Sequence, residues 1–187
     1  ISGGHSFIMA ADRNAPRRKR VLIDSSSAII IYKSGFIDLV LDFYSVVISV
    51  SVYIELTRDG YAGADAFRTY IHDRKICVNS QVSEDDIGKD TSESITGLGP
   101  GERDTVLLYL NGAGEFVIVD DGKAAMICRK RGIPYINALL VPRLLYSAGR
   151  IDSEEKNRLM QRIIEHGRYS SWVIEYARTC NDQALSN

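Results

Sequence analysis

The chain has 187 residues, of which 45% are hydrophobic and 25% are charged, as in an ordinary globular protein with one main domain. The formal net charge of −1 excludes a strongly basic surface over the whole molecule, so a nucleic-acid-binding surface would have to be local or depend on metal ions. The three cysteines form no CxxC pair, which argues against a disulfide framework or a zinc site and favours reduced, buried thiols in the cytoplasm. No secretory signal is visible and no apolar stretch is long enough to span a membrane, so a soluble protein is predicted.

Five short apolar segments are predicted to be β-strands, each bounded by turn-forming or acidic residues. They cover residues 21–23, 46–48, 76–78, 116–119 and 134–136. Helical patterns of about a dozen residues separate them, and this alternation is typical of a parallel sheet with helices on both faces. The predicted fold class is therefore α/β, a three-layer α/β/α sandwich with a central parallel sheet.

Two regions outside the predicted core are polar or basic. Residues 1–20 are expected to form a flexible leader, part of which is an expression remnant in front of Met9. Residues 81–97 form an acidic loop rich in serine and threonine, long enough to be functional or mobile. The main domain is predicted over residues 21–148. Residues 149–187 are predicted to be a helical extension, with Ser153 capping its first helix and Trp172, Ile174 and Tyr176 packing on the body.

Acidic residues stand at four places where the chain changes direction. In a parallel sheet the carboxyl ends of all strands share one edge, and the following helices begin there, so these acids could converge. Clustered carboxylates repel one another unless a cation neutralises them, and Mg²⁺ or Mn²⁺ suits an all-oxygen site. The four positions are Asp24, Glu55, Glu102 with Asp104, and Asp120 with Asp121.

Each acid also has a structural alternative. Asp24 could be only the N-cap of the next helix, and Glu55 an ordinary surface residue. Glu102 could serve only to interact favourably with the dipole at the start of its helix. Asp120 and Asp121 could be a simple turn pair. Individually these signals are weak, and their order along the chain is what makes them specific.

Four segments in register resemble the motifs of the PIN domain, the fold of many metal-dependent ribonucleases, including VapC-type toxins of bacterial toxin–antitoxin pairs. The resemblance covers about residues 21–148. The segments are residues 21–29 (VLIDSSSAI), 51–56 (SVYIEL), 99–104 (GPGERD) and 117–123 (VIVDDGK), the last followed by a Gly-Ile-Pro turn. The third segment resembles one predicted nucleic-acid-binding branch of the family, although the third helix more usually opens with aspartate.

The resemblance implies hydrolysis of RNA by a metal-activated water, with Mg²⁺ or Mn²⁺ as cofactor. Asp24 and one of Asp120 and Asp121 would bind the main ion, while Glu55 and Glu102 would hold a second ion or order its waters. Ser26 falls on the serine that helps to orient the first site, and Asp104 competes with Glu102 for the third position.

Basic residues near the cleft, Arg103 and Lys123 or the basic residues 17–20, could position the RNA, and a solvated surface is the alternative for each. The resemblance also implies partners, an RNA substrate and a protein antitoxin, and a homodimer is expected. The apolar faces of residues 36–44 and of the carboxyl-terminal helices could serve the homodimer or the antitoxin, and ordinary core packing is the alternative. The alternative is a non-catalytic module of the same fold that binds RNA or protein. A phosphatase or receiver-type domain is disfavoured because no lysine follows a late strand.

Overall fold

A single parallel sheet organises the molecule. The structure, a computed structural model, describes residues 17–83 and 95–180, so most of the predicted leader and most of the predicted acidic loop lie outside the described residues. The strands are β1 (Arg20–Ile23), β2 (Ser45–Ser49), β3 (Ile76–Asn79), β4 (Phe116–Ile118) and β5 (Tyr135–Ile136). They lie in the order β3-β2-β1-β4-β5 and every pair is parallel. The predicted α/β fold is confirmed.

Helices connect the strands and cover both faces of the sheet. In chain order they are α1 (Ser25–Lys33), α2 (Ile37–Phe43), α3 (Val50–Leu56), α4 (Ala64–His72), α5 (Pro100–Leu110), α6 (Gly122–Arg131), a 3₁₀ turn (Ala138–Leu140), α7 (Val141–Ser147), α8 (Ser153–His166) and α9 (Ser171–Thr179). The first half of the chain builds outward from β1 to β3, and the second half returns to the other side of β1. The boundary between β1 and β4 is therefore the switch point at which open α/β sheets form their ligand crevice.

The core is divided by the sheet into two apolar clusters, as the alternation of side chains along a strand requires. On β1, Val21 and Ile23 face the larger cluster, which includes residues from α1, α2, α3, α4, α7, α8 and α9. Leu22 faces the opposite cluster, which includes residues from α5 and α6. These are the three layers predicted from the strand–helix alternation. Ile37, Val40 and Leu41 of α2 are buried in the larger cluster, so this face of residues 36–44 serves the core, while Leu39 is exposed.

The carboxyl-terminal helices pack on the larger cluster through a different face from the one predicted. Ile174 contacts the core as expected, together with Val173 and the buried Ala177. The prediction for the two large aromatics is wrong, since Trp172 is 72% and Tyr176 46% exposed, and their rings stack on each other. The spacing of residues 173, 174 and 177 explains this, because residues three and four apart share one helix face.

Two local details also differ from expectation. Asp152, not Ser153, caps α8, its side chain accepting a hydrogen bond from the backbone of Glu155 at 2.8 Å. All three cysteines are free, but only Cys128 is buried as predicted, while Cys77 is exposed and Cys180 is intermediate. Among helices within residues 17–83 and 95–180, none combines the length and apolarity of a membrane span.

Candidate active site

Asp24 lies at the switch point, directly after β1. Its backbone N–H donates to the carbonyl of Ile118 at the end of β4, at 3.2 Å, which fixes it between the two strands. One carboxylate oxygen accepts the backbone N–H of Ser27 and the other accepts the hydroxyl of Ser26, both at 2.8 Å. The side chain is only 1% exposed. Asp24 is therefore the N-cap of α1 and also a buried acid at the crevice.

Asp120 follows β4, and its carboxylate lies near that of Asp24. Both of its carboxylate oxygens accept the backbone N–H of Ala138, at 3.2 and 3.3 Å. One of them also accepts the hydroxyl of Tyr169, which comes from the segment between α8 and α9. Burial and the neighbouring Asp120 raise the pKa of Tyr169, so the phenol stays protonated and acts as the donor.

The two acids share an unfavourable electrostatic environment. Burial, with a smaller contribution from the charge of Asp120, raises the pKa of Asp24 from 3.8 to about 7 against the lowering effect of hydrogen bonds from Ser27 and Ser26. Burial likewise raises the pKa of Asp120. Asp24 is buried and Asp120 half-buried, and two such carboxylates beside each other are stable as anions only when a cation compensates them.

A third polar group at this place is the hydroxyl of Ser27. The Ser27 hydroxyl is fully buried and lies beside both acids, where it lowers their pKa values against the larger effect of burial. It nonetheless makes no hydrogen bond of acceptable geometry within the described part of the chain. A buried polar group without such a bond is costly unless a ligand or water satisfies it.

Glu55 lies on α3 and contacts the first turn of α1. Its carboxylate accepts a hydrogen bond from the hydroxyl of Ser25, the residue that follows Asp24. It also packs against the start of α5, where a Cβ on Gly101 would lie 2.9–3.2 Å from its carboxylate atoms. Only glycine at residue 101 leaves the Glu55 carboxylate its present position.

The other predicted acids take part in local hydrogen bonds. Glu102 folds back on its own helix, and its carboxylate accepts the backbone N–H of Gly99, the N-cap residue, at 2.7 Å. Asp104 accepts the hydroxyl of Ser51 on α3 and lies 4.0 Å from the guanidinium of Arg103. The contact between Asp104 and Ser51 joins α5 to α3 at the edge of the crevice. The contact between Glu102 and Gly99 lies at the start of α5 itself and matches the structural alternative predicted for Glu102.

The structure distinguishes between Asp120 and Asp121. Asp121 caps α6, accepting the backbone N–H groups of Lys123 and Ala124 at 2.8 and 2.9 Å. Asp120, one residue earlier, is the acid that lies beside Asp24. Lys123 is exposed at the start of α6, on the same edge of the sheet.

The basic residues before β1 lie at the opposite edge. Arg17 contacts Glu115 at 3.2 Å, while Arg18 donates to the carbonyl of Leu41 at 2.8 Å. Both lie before the amino end of β1, and the acids follow its carboxyl end. The expected contribution of residues 17–20 to the cleft is therefore not supported, because the length of β1 separates them from it.

The donor set fits a divalent ion of the kind that retains waters. Within residues 17–83 and 95–180, no three or more histidine, cysteine, aspartate or glutamate side chains form a metal-binding cluster. Mg²⁺ is nevertheless commonly held by one or two carboxylates together with waters and substrate phosphate. Asp24, Asp120 and the unsatisfied Ser27 hydroxyl provide such a set.

Several contributors escaped prediction from the sequence. Ser25 and Ser27 belong to the first motif, and their hydroxyls could have been foreseen as site groups from their position beside Asp24. Tyr169 carries no comparable signal, since it is 49 residues from Asp120 and stands in no motif.

Comparison with known proteins identifies the family. The model of the DUF3368 family, whose description is PIN domain, matches residues 20–177, which includes all five strands and most of α9. A search of curated proteins found no match. PIN domains are generally nucleases and usually use divalent metals. The family model covers most of the chain, and the sheet order and the acids at the switch point are consistent with that match. The chain belongs to the PIN domain family.

Proposed function

We propose that this protein is a metal-dependent ribonuclease that hydrolyses RNA phosphodiester bonds at the crevice between β1 and β4. The observation that carries the proposal is the pair formed by the buried Asp24 and the half-buried Asp120, with the buried hydroxyl of Ser27 beside both acids. Like charges removed from water are costly, and a cation bound by both carboxylates would offset that cost.

Each acid has a role in this proposal. Asp24 and Asp120 bind the ion, which when bound supplies an activated water and neutralises charge on the phosphate. Glu55, anchored by Ser25, orients a water molecule or contributes to a second ion position. Glu102 and Asp121 hold the first turns of α5 and α6, so their contribution is to position the edge of the crevice.

The substrate would reach an anionic site through the ion and through two cationic side chains, the half-buried Arg103 and the exposed Lys123. Arg103 and Lys123 stand at the starts of α5 and α6, on the edge of the sheet where the acids lie. We assign them to contacts with RNA phosphates, which need positive charge more than specific geometry. Toxin activity, a protein antitoxin and a homodimer stay predictions. A cytoplasmic location stays a prediction from the cysteine usage, and the choice of Mg²⁺ or Mn²⁺ a prediction from the all-oxygen site.

The proposal is tested by Mn²⁺ calorimetry and an RNA cleavage assay on the same four proteins: wild type, Asp24→Asn, Asp120→Asn and Asp121→Asn. We expect wild type to bind Mn²⁺ and to cut single-stranded or structured RNA. Asp24→Asn and Asp120→Asn should lose both properties, because each removes one charge of the pair. Asp121→Asn is the matched control, since asparagine also caps helices well, and it should keep both.

Three outcomes would be decisive. Loss of activity in Asp121→Asn but not in Asp120→Asn would reverse the assignment of the ligand. Binding of Mn²⁺ by wild type without cleavage of any RNA would favour the non-catalytic module. Absence of Mn²⁺ binding in wild type would contradict the proposed chemistry.

A further inference from the structure

The carboxylate of Asp120 is held from two sides. The backbone N–H of Ala138 donates to both oxygens from the turn after β5. The hydroxyl of Tyr169 donates to one oxygen from the segment between α8 and α9. The first partner is a neighbour within the sheet layer, while the second comes from the carboxyl-terminal helices.

The ring of Tyr169 is fitted into its position. It packs against the larger apolar cluster and fills the space above Gly167. The backbone of Gly167 is extended, with φ −98° and ψ 169°, a conformation open to any residue. A Cβ on Gly167 would, however, lie 2.2 Å from an edge carbon of the Tyr169 ring. Glycine is therefore required here by the ring and not by the backbone.

We propose that Tyr169 is a positioning residue for the metal site, which holds the Asp120 carboxylate in the orientation that binds the ion beside Asp24. The inference rests on the proposed function and extends it to the carboxyl-terminal helices. Groups that hydrogen-bond a metal ligand from behind fix its orientation, and their loss typically weakens metal binding about 10- to 100-fold. The hydroxyl of Tyr169 has this relation to Asp120.

The test compares wild type with Tyr169→Phe, which keeps the packed ring and removes only the hydroxyl. Tyr176→Phe is the matched control, because it removes the same group from an exposed ring on α9. We expect the Mn²⁺ dissociation constant of Tyr169→Phe to rise about 10- to 100-fold, while Tyr176→Phe binds as wild type does. At saturating Mn²⁺ the kcat for RNA cleavage should fall with little change in KM, and without metal the variant should still unfold in one cooperative thermal transition.

Gly167→Ala provides a second, independent variant. It keeps the hydroxyl but displaces the ring, so it should weaken Mn²⁺ binding in the same direction. Unchanged Mn²⁺ affinity in both folded variants would overturn the role of Tyr169 and leave the proposed nuclease standing. A wild type that binds no Mn²⁺ would instead contradict the proposed function, and the present inference with it.

Discussion

Asp24 combines a structural and a chemical role in one buried side chain. Its oxygens accept hydrogen bonds from Ser26 and Ser27, which fixes both α1 and the carboxylate itself. The same burial, with Asp120 nearby, raises its pKa from 3.8 to about 7. A residue that only capped a helix would normally stay exposed to water and keep an ordinary pKa. The raised pKa lowers the stability of the metal-free protein at neutral pH, because the unfolded chain gives up this proton more readily than the folded protein does.

The pH dependence of stability should report this cost. Below about pH 4 the carboxyl is protonated in both folded and unfolded chains. As pH rises toward 7, only the unfolded chain gives up the proton, so the folded state loses stability until its own pKa of about 7 is passed. Asparagine cannot ionise. In metal-free buffer we expect the stability of Asp24→Asn relative to wild type to increase between pH 4 and pH 8 by up to about 4 kcal/mol, at about 1.4 kcal/mol per pKa unit.

Urea unfolding at several pH values measures this difference directly. The comparison uses the change with pH, so a constant cost of the substitution does not affect it. Asp121→Asn is the control, since the same chemical change occurs at a neighbouring cap. A stability difference between Asp24→Asn and wild type that stays constant from pH 4 to pH 8 would show that the carboxyl titrates normally.

The start of α5 determines the position of the Glu55 side chain on the neighbouring helix α3. Pro100 stands at the first helical position, and the carboxylate of Glu102 accepts the backbone N–H of Gly99, the N-cap residue. These features fix the first turn, which brings Gly101 against the carboxylate of Glu55 on α3. The position of Glu55 is thus decided by the close approach of two helices.

Gly101→Ala should separate the stability of α5 from the placement of Glu55. The added methyl would displace the carboxylate, so we expect slower RNA cleavage. Alanine is favoured over glycine in helices by up to about 1 kcal/mol, and the displaced group is the end of a flexible chain. Thermal unfolding should therefore change little or shift upward. Differential scanning calorimetry beside a cleavage assay measures both quantities.

Gly122→Ala is the matched control for this variant. Gly122 is the first residue of α6, as Gly101 is the second of α5. A Cβ on Gly122 would meet nothing within 4 Å. Its cleavage rate should stay at the wild-type level. Equal cleavage rates in Gly101→Ala, Gly122→Ala and wild type would show that the contact with Glu55 does not matter for the reaction.

The carboxyl-terminal helices are part of the body of the molecule. Leu159, Ile163 and Ala177 belong to the same buried cluster as the inner face of β1. The buried Arg143 of α7 donates to the carbonyls of Ala177 and Cys180 at 2.6 and 2.5 Å, which places a positive charge at the end of α9. This arrangement suits the negative end of the helix dipole.

Arg143→Met should test how firmly α9 is attached. The variant keeps much of the apolar stem and removes the charge-assisted hydrogen bonds, so we expect a loss of about 1.5–3 kcal/mol in the free energy of unfolding. Urea unfolding measures it. Arg178→Met, at an exposed position on α9, is the control and should cost less than about 0.5 kcal/mol. Equal stability of both variants would mean that the Arg143 contacts add nothing.

The order of residues alone indicates the strands, most helices, the parallel sheet and the edge that carries the acids. These features are local, because apolar runs, turn residues and capping groups act on neighbours within a few residues. Small errors of this kind of inference are also local. Ser153 and Asp152 are both good caps, and only the backbone direction at that turn selects Asp152.

Tertiary packing settles what no local pattern contains. Asp120 rather than Asp121 lies beside Asp24, because the chain after β4 points successive side chains in different directions and the second acid turns to cap α6. Tyr169 meets Asp120 across 49 residues because α8 and α9 fold back on the sheet. The acids can thus be located from the sequence, but their pairing depends on which strands and helices become neighbours.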